Sequence, residues 1–399
     1  MRDQIMKYIN KLISDRSAHP EMTAFAAQDD VMISGGDPCL AKIATDTLAR
    51  LNCLALCAAQ PALPFADFLL RRAPSAGHEI IPRDTETRTF LHDIPLVRSS
   101  ELGDDPAAVI AGLLGSRKGI VVEGIGIIAS GGLTIEQAYI NWSSVFHSTF
   151  IKYLENVLQD GFLLPGEAGA FTRFRTEWLQ PLTAADLRFR QGPILDKADI
   201  LDEITQVGSY TVQRGLVDSF FGNISYSHGD LIYISQTASS LDELAGCIDP
   251  VPFGNTSTVG ITASSELVAH RRIFETTGCR AILHGHPRFA VVMSMLCEEK
   301  SSCLITDCWK ECRKVRIMGG TPVVAGEIGA GGIARNVPPV IGAPGRAIVY
   351  GHGVFAIGRT DFREAFQSLV DVENWCRDEY FRRFDERSNR RMKMSESHA

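Results

Sequence analysis

Apolar and polar positions alternate along the first half of the chain in patterns that predict helices and a buried strand. Residues 1–30 are typical of an amphipathic helix, and a glycine-rich turn at 32–37 leads into a second helix with apolar residues three and four apart. The apolar run at 119–128, bounded by glycines, predicts a short buried strand. Residues 133–158 predict a long helix, for which Thr134 is the candidate N-cap.

The second half begins after a segment rich in proline, glycine and arginine, residues 159–196, which we interpret as a linker. A helical pattern follows at 198–218. Residues 221–235 then give the strongest hairpin pattern in the chain, a strand, a His-Gly-Asp turn and a second strand. Further on, the pattern predicts a helix at 264–278, buried strands at 279–287 and 347–359, and a long helix at 361–384.

An internal repeat relates the two halves. Residues 122–131 and 349–358 share the pattern V-x-G-x-G-x-x-A-x-G, and upstream residues 90–97 echo residues 282–289. Because both echoes occur in the same order, we favour duplication over chance similarity of glycine-rich strands. The sequence therefore predicts a degenerate domain at 1–158, the linker at 159–196, a catalytic domain at 197–385 and a flexible tail at 386–399.

Composition and charge exclude several classes of protein. The chain has 399 residues, 45% hydrophobic and 22% charged, which is ordinary globular composition and excludes disorder as the main state. A net charge of −7 argues against a nucleic-acid partner bound through bulk positive charge. No apolar run reaches the roughly 18–20 residues of a membrane helix, and the N-terminus lacks a signal-peptide core. We therefore expect a cytoplasmic protein with no membrane partner.

Three histidines in the second half form a candidate metal site. His284 and His286 lie two residues apart on a predicted strand, so that their side chains share one face, and His352 lies between two glycines. An H-x-H pair alone is equally compatible with core histidines, but a third histidine in this context favours a divalent transition metal. In the first half, the repeat aligns these positions with His92, Ile94 and Ile125. One imidazole does not hold a metal tightly, so the first copy is predicted to be non-catalytic.

A carboxylate and several hydroxyl and amide side chains lie close to these histidines in the predicted order of elements. Glu266 stands at a helix start, where it is either a capping acid or a general acid/base beside the metal. Ser264 and Ser265 precede it, at a helix N-terminus suited to an anion. Asn223 and Thr237 would add donors to the same pocket.

Residues 197–384 resemble the class II aldolase/adducin family, which includes fuculose-phosphate and rhamnulose-phosphate aldolases. The first half resembles this family only through the echoes described above. The resemblance implies an α/β fold, an α/β/α sandwich around a mainly antiparallel central sheet, here duplicated, and assembly as a homo-oligomer. It is carried by five motifs in the family's order: GNIS at 222–225, SQTA at 235–238, SSE at 264–266, HGHP at 284–287 and GHG at 351–353.

The same resemblance implies a metal-dependent aldolase, a carbon–carbon lyase acting on a small hydroxy-carbonyl compound, with or without phosphate, through a metal-stabilised enediolate. Zn²⁺ is the expected ion. The metal ligands implied are His284, His286 and His352. The acid/base implied is Glu266. The residues implied to bind the substrate phosphate are Asn223, Thr237, Ser264 and Ser265.

Some features depart from the family pattern and leave alternatives open. Phe220 stands where sugar-phosphate aldolases tend to have a hydroxyl residue, Ala238 replaces a glycine, and no tyrosine stands where a mobile catalytic tyrosine is expected. The phosphate and the aldehyde partner are therefore open. Dehydratases, decarboxylases and epimerases of the same family are alternatives, as is a non-catalytic adducin-like binding protein.

Two further motifs have simple structural interpretations. The segment at 33–43, ISGGDPCLAKI, lacks the spacing of known nucleotide loops, and we favour a turn before a helix over a phosphate cradle. Ten cysteines are too few for a disulfide scaffold. The dense group within 297–312 matches no zinc or iron–sulfur spacing, so we favour incidental thiols, with a second metal or redox role as the alternative. This group consists of Cys297, Cys303, Cys308 and Cys312.

Overall fold

The computed structural model describes residues 1–74, 78–217, 220–254, 258–298, 302–327 and 329–396. The chain divides into two compact units, Met1–Gln180 and Pro181–Ala399. The proposed linker is thus divided between them, and residues up to 180 pack with the first unit. In the described part of the chain, no helix is both long enough and apolar enough to cross a membrane.

The first unit contains seven strands and seven α-helices among its described residues. The strands are β1 (Ala18–Gln28), β2 (Met32–Gly36), β3 (Ala55–Pro61), β4 (Glu79–Ile80), β5 (Ile94–Val97), β6 (Gly119–Val122) and β7 (Gly126–Gly131). The helices are α1 (Arg2–Ser14), α2 (Pro38–Leu48), α3 (Phe65–Arg72), α4 (Thr85–Leu91), α5 (Pro106–Leu114), α6 (Ile135–Asp160) and α7 (Glu167–Arg173). A π-helical turn, Phe174–Trp178, follows α7.

The first unit is an α/β/α sandwich. Its sheet has the order β2-β1-β3-β7-β6-β5-β4, and all neighbours are antiparallel except β5 and β6. Helices α2 and α5 cover one face through an apolar cluster that includes Leu40 and Ile110. Helix α6 packs on the other face, where the indole of Trp142 donates to the Ile127 carbonyl at 3.1 Å. As predicted, the Thr134 side chain caps α6 by accepting from the Gln137 amide.

The second unit has eight strands and seven α-helices among its described residues. The strands are β8 (Asn223–His228), β9 (Leu231–Ser235), β10 (Ile248–Pro252), β11 (Ala281–Gly285), β12 (Arg316–Met318), β13 (Thr321–Val324), β14 (Arg346–Val349) and β15 (Gly353–Gly358). The helices are α8 (Lys197–Gln213), α9 (Leu267–Thr277), α10 (Arg288–Ser294), α11 (Cys308–Glu311), α12 (Gly329–Asn336), α13 (Pro338–Ile341) and α14 (Phe362–Glu396).

This unit is also an α/β/α sandwich around a mainly antiparallel sheet. The strand order is β10-β9-β8-β11-β15-β14-β13-β12, with β13 and β14 as the parallel pair. Helices α9, α12 and α13 share an apolar cluster with one face of the sheet. Helices α8 and α14 contact the sheet through β8, β11, β14 and β15.

The two sheets have the same topology, which confirms the predicted duplication at the level of the fold. From β1 to β7, each strand of the first unit has a counterpart in the second at the same sheet position, and the parallel pair falls at the same place. The second unit adds β10. Both copies carry an 11-residue helix, α2 or α9, before the central strand. The registers therefore align the two copies residue by residue.

Several predicted elements differ from the observed ones. The helix predicted over 1–30 is wrong in its second half, because residues 18–28 form β1, held between β2 and β3. The single strands predicted at 119–128 and 347–359 are each two strands, with turns at Gly124 and Gly351. The last helix continues to Glu396, into the predicted tail.

Candidate functional site

The three predicted histidines meet at one end of the second sheet. His284 lies on β11, His286 follows its end, and His352 lies in the turn between β14 and β15. Because β11 and β15 are antiparallel neighbours, the end of one and the start of the other meet. Within the described ranges, these three are the one group of three potential ligands whose donor atoms all lie within 4.8 Å of one another.

The distances within this group suit a small transition-metal ion. The Nε2 atom of His284 lies 3.0 Å from that of His286 and 3.2 Å from that of His352. Tetrahedral ligands at the usual Zn–N distance of about 2.0–2.1 Å are separated by about 3.3 Å. The residues present therefore fit a metal ion held by three imidazoles.

Glycines let the backbone approach closely enough to form this group. A Cβ atom on Gly353 would lie 2.3 Å from the Gly285 carbonyl oxygen and 2.7 Å from the His286 ring. Gly351 has φ +59°, in the left-handed region that favours glycine. Its amide donates to the Ser294 hydroxyl at 2.8 Å, which fixes the turn that carries His352.

Neighbouring groups orient the imidazoles of His284 and His286, and burial keeps that of His284 neutral. The Nδ1 atom of His284 lies 3.0 Å from the Val354 carbonyl oxygen, so Nδ1 carries the proton and Nε2 presents its lone pair. The ring of His284 stacks on Phe355 at 3.9 Å, and that of His286 stacks on Phe221 at 5.7 Å. Burial lowers the pKa of His284 to about 4, so this ring is neutral at pH 7 and available to a metal.

The carboxylate of Glu266 lies against the same group. Its Oε1 is 3.2 Å from Nε2 of His352 and its Oε2 is 3.5 Å from Nε2 of His284. Glu266 precedes α9 without capping it, so the capping interpretation is not supported by its contacts. Burial alone would raise the pKa of Glu266, but the adjacent imidazole of His284 and hydrogen bonds with His352 and Asn223 outweigh burial and lower it. The side chains of His352 and Glu266 remain 14% and 11% exposed, which leaves this edge open to solvent.

The four residues expected to bind phosphate have different surroundings. Asn223 is buried, and its Nδ2 donates to Oε2 of Glu266 at 2.8 Å. Thr237 is exposed, and its hydroxyl donates to the Ala263 carbonyl at 2.9 Å. The Ser264 hydroxyl accepts from the Glu266 amide at 3.3 Å. Ser265 is exposed beside them at the start of α9.

Sequence reasoning missed two buried polar residues behind Glu266. The Nε2 atom of His270 lies 2.5 Å from Oδ1 of Asn223, and its Nδ1 lies 2.6 Å from the Ser225 hydroxyl. His270 stands four residues after Glu266, a spacing that places both side chains on one face of a helix. That spacing was the available signal, but it does not distinguish a site residue from a core histidine.

None of the three histidines has a histidine counterpart in the first unit. Its strands β3 and β7 pair in the same register as β11 and β15, with Gly131 in the place of Gly358. The structural counterparts of His284, His286 and His352 are therefore Ala58, Gln60 and Ile125. The alignment of 90–97 with 282–289 was wrong, because residues 94–97 form β5, the counterpart of β13 rather than of β11. His92 is consequently not the counterpart of His284.

Neither of the two other sequence motifs forms a ligand site among the described residues. Asp37 caps α2 through the Leu40 amide at 2.8 Å, which confirms that the ISGGDP segment precedes a helix. Of the clustered cysteines, three line one small cavity together with Lys314, Arg316 and Tyr350. Their sulfur atoms do not meet as a group of three ligands in the described ranges. These three are Cys297, Cys308 and Cys312.

A buried glutamate supports the segment that follows His286. Glu373 on α14 accepts from the amides of Phe289 and Ala290, each at 3.0 Å, and so caps α10. Burial raises the pKa of Glu373 to about 7, against the opposing effect of these two hydrogen bonds. The segment that follows the H-G-H-P turn is thus tied to α14.

Comparison with known proteins gives a family match in the second unit. Residues 202–380 match the model of the family described as Class II Aldolase and Adducin N-terminal domain. Comparison with curated proteins gives no significant match.

Solved structures similar to this chain include several aldolases. The l-fuculose-1-phosphate aldolase from Thermus thermophilus is 22% identical to this chain, with a TM-score of 0.38. The match covers 48% of this chain and 97% of the aldolase chain. A sugar-phosphate aldolase from Thermotoga maritima is 17% identical, with coverage of 46% and 94% and a TM-score of 0.35. The N-terminal class II aldolase domain of a Thermoplasma acidophilum protein is 13% identical, with coverage of 48% and 98% and a TM-score of 0.35.

The family match spans the five motifs on which the resemblance rested, and it includes the three histidines and Glu266. Residues 202–380 of the second unit are therefore similar to the class II aldolase/adducin domain.

Proposed function

We propose that the second unit is a metal-dependent aldolase, a carbon–carbon lyase that cleaves or forms a small hydroxy-carbonyl compound. The observation that carries this proposal is the meeting of three Nε2 atoms, with that of His284 3.0 and 3.2 Å from the other two, beside the Glu266 carboxylate. That carboxylate lies 3.2 Å from His352 and 3.5 Å from His284. His284, His286 and His352 would hold a divalent ion, Zn²⁺ in the first place. When bound, the ion would act as a Lewis acid towards the substrate oxygens.

Glu266 performs the proton transfer in this proposal. In the direction of cleavage, its carboxylate accepts the proton of the substrate hydroxyl as the carbon–carbon bond breaks, and it returns that proton to the carbon of the other fragment. Atoms and charge then balance without a second acid. Because Glu266 is ionised and partly exposed beside the histidines, it can take up a proton at the place where the substrate enters.

Substrate binding would involve the exposed edge of the same pocket. Thr237 and Ser265 are exposed there, beside the positive end of α9, and would face an anionic group such as phosphate. Ser264 and Asn223 are buried and already bonded, so they would support this edge from behind. We further propose that the protein acts in the cytoplasm as a homo-oligomer.

The first unit is proposed to be non-catalytic. The counterparts of the three metal ligands are alanine, glutamine and isoleucine, and Asp37, the counterpart of Glu266, is engaged in capping α2. This unit would contribute structure or an interaction surface rather than chemistry.

The test compares metal content and turnover in full-length variants. His352→Ala should lose the ion, because two imidazoles do not retain it, while Glu266→Gln should keep one ion per chain and lose retro-aldol turnover. Elemental analysis and a screen of phosphorylated and unphosphorylated hydroxy-carbonyl compounds measure both. His92→Ala, which removes an exposed histidine of the first unit, is the matched control. Metal content unchanged in His352→Ala would contradict the proposal.

A further inference from the structure

A chain of hydrogen bonds leads from the interior of the second unit to Glu266. The Ser225 hydroxyl lies 2.6 Å from Nδ1 of His270, and Nε2 of His270 lies 2.5 Å from Oδ1 of Asn223. Nδ2 of Asn223 lies 2.8 Å from Oε2 of Glu266. All four residues are buried, with His270 and Ser225 fully so.

Glu266 is the last member of this series of hydrogen bonds, and its carboxylate fixes the direction in which each donor points. An ionised carboxylate only accepts hydrogen bonds, so Asn223 must turn its NH₂ group towards Glu266 and its carbonyl towards His270. That carbonyl only accepts, so the proton of His270 is on Nε2. Nδ1 of His270 therefore carries a lone pair, and the Ser225 hydroxyl donates to it. Any other arrangement places two acceptors or two donors face to face in a buried position.

His270 is suited to this role because it stays neutral. Burial lowers the pKa of His270 to about 3, so one ring nitrogen donates and the other accepts at neutral pH. Its ring also contacts Phe355 edge-on at 5.9 Å, the same phenylalanine on which the metal-site residue His284 stacks. The position of the imidazole is thus fixed by packing as well as by hydrogen bonds.

The first unit shows what the fold requires at these positions. The registers of β1 with β3 and of β8 with β11 make Ala24 the counterpart of Asn223 and Ala26 that of Ser225. Counting from the equivalent helix starts, Ala41 is the counterpart of His270. These alanines belong to one apolar cluster that also contains Ala58, the counterpart of His284. The same fold therefore forms without the polar chain, which is absent together with the metal ligands.

We propose that His270 and Ser225 are positioning residues for Glu266: they fix the amide of Asn223 so that it holds one carboxylate oxygen and directs the other towards His352. This inference rests on the proposed function in so far as Glu266 is the acid/base. It also gives Asn223 a different role from phosphate binding.

The variants separate the hydrogen bond from the volume of the side chain. His270→Leu removes both nitrogen atoms and largely preserves the volume, whereas His270→Gln keeps an amide donor at the end of the side chain. With a substrate found by the screen described above, His270→Leu should lower kcat about 10–100-fold with little change in KM, the range seen when outer partners of a metal site are lost. His270→Gln should recover part of that loss. The control His147→Leu removes a buried histidine of the first unit and should leave kcat unchanged.

Cobalt substitution tests the action through Glu266 without a substrate. The visible spectrum of the Co²⁺-loaded protein should change in His270→Leu, and that change should vanish when Glu266→Gln is also present. An unchanged spectrum, or an equal change in both backgrounds, would overturn the proposal. If none of the compounds in the screen is turned over, the proposed function fails. The cobalt spectra of His270→Leu with and without Glu266→Gln still decide the positioning role.

A measurement on metal-free protein completes the test. Nuclear magnetic resonance of the Asn223 side-chain amide should show one fixed orientation, with shifts that move in both His270→Leu and Glu266→Gln. Amide signals that are insensitive to either variant would overturn the proposal even in a protein that binds no cobalt.

Discussion

At the scale of single residues, spacing predicted the cluster of three histidines but not the residues that support it. His284 and His286 could be paired from the sequence because residues two apart on a strand share a face, and a glycine on each side marked His352. Asn223 was assigned to the substrate by resemblance, yet its amide is bonded to Glu266. That contact joins β8 to the start of α9, and no local pattern reports a contact between distant elements.

One departure from the family pattern carries a backbone cost. Ala238 has φ +59°, in the left-handed region where a Cβ costs roughly 1–2 kcal/mol. Ala238→Gly should remove this strain at the cost of about 0.5–1 kcal/mol of chain entropy, for a net gain of up to about 1 kcal/mol. Urea unfolding of the full chain measures the difference.

The reciprocal substitution is the control. Gly229, in the turn between β8 and β9, has φ +58°, and a Cβ atom added there would have no other atom within 4 Å. Gly229→Ala should therefore destabilise through backbone strain alone, by about 1 kcal/mol. A loss of stability in Ala238→Gly would show that the strain at Ala238 is not what its backbone angle indicates.

At the scale of elements, helices with caps were predicted well and paired strands poorly. Thr134 and Gly278 mark the ends of α6 and α9 as the sequence indicated, because capping is a local interaction. Residues 18–28 were predicted as part of one amphipathic helix over 1–30, but they pair with β2 and β3, a contact between separate segments that overrides a local pattern. The hairpins at Gly124 and Gly351 were predicted as single strands, since an apolar run does not show where it reverses.

The junction of α10 and α14 should make stability depend on pH. Glu373 has its pKa raised to about 7 in the folded protein, from 4.5. The folded state thus binds this proton more tightly than the unfolded state does. The associated stability is present below pH 4.5 and is lost as the pH rises through 7.

Glu373→Gln should remove this dependence, because the amide does not ionise, while its carbonyl still accepts from the start of α10. The difference in unfolding free energy between the variant and the wild type should therefore grow in favour of the variant between pH 5 and pH 8, by an amount on the order of 3 kcal/mol. Denaturant unfolding at several pH values measures it. Glu364→Gln, at an exposed position of the same helix, is the control. Parallel pH profiles for the wild type and Glu373→Gln would refute the assignment.

At the scale of the whole molecule, the chain contains one fold twice, with the histidine cluster in one copy. The sequence showed the repeat at 122–131 and 349–358, which the strand registers confirm. The sequence alignment of the two halves placed the central strand wrongly. Strand β3 has none of the histidines of β11, and the sequence of residues 90–97 resembles that of residues 282–289 by chance. Strand order, which only the structure provides, corrected the correspondence.

This correspondence predicts that a second metal site can be restored in the first unit. Ala58→His, Gln60→His and Ile125→His together place imidazoles at the counterparts of the three ligands, around a turn whose glycines, Gly124 and Gly126, match Gly351 and Gly353. The metal content of the full-length variant, measured by elemental analysis, should therefore rise from one ion per chain to two.

The mistaken alignment supplies the matched control. Ile94→His with Ile125→His, in a chain that already has His92, also creates three histidines. Ile94 begins β5 and His92 lies just before it, however, whereas Ile125 follows the end of its parallel neighbour β6, so the positions are at opposite ends of the two strands. Because these imidazoles do not converge, metal content should stay at one ion per chain. If neither triple gains an ion, the topology is shared but the geometry of the ligand positions is not. If both gain one, histidine number rather than position would explain the binding. Only a gain confined to the first variant supports two copies that align strand by strand.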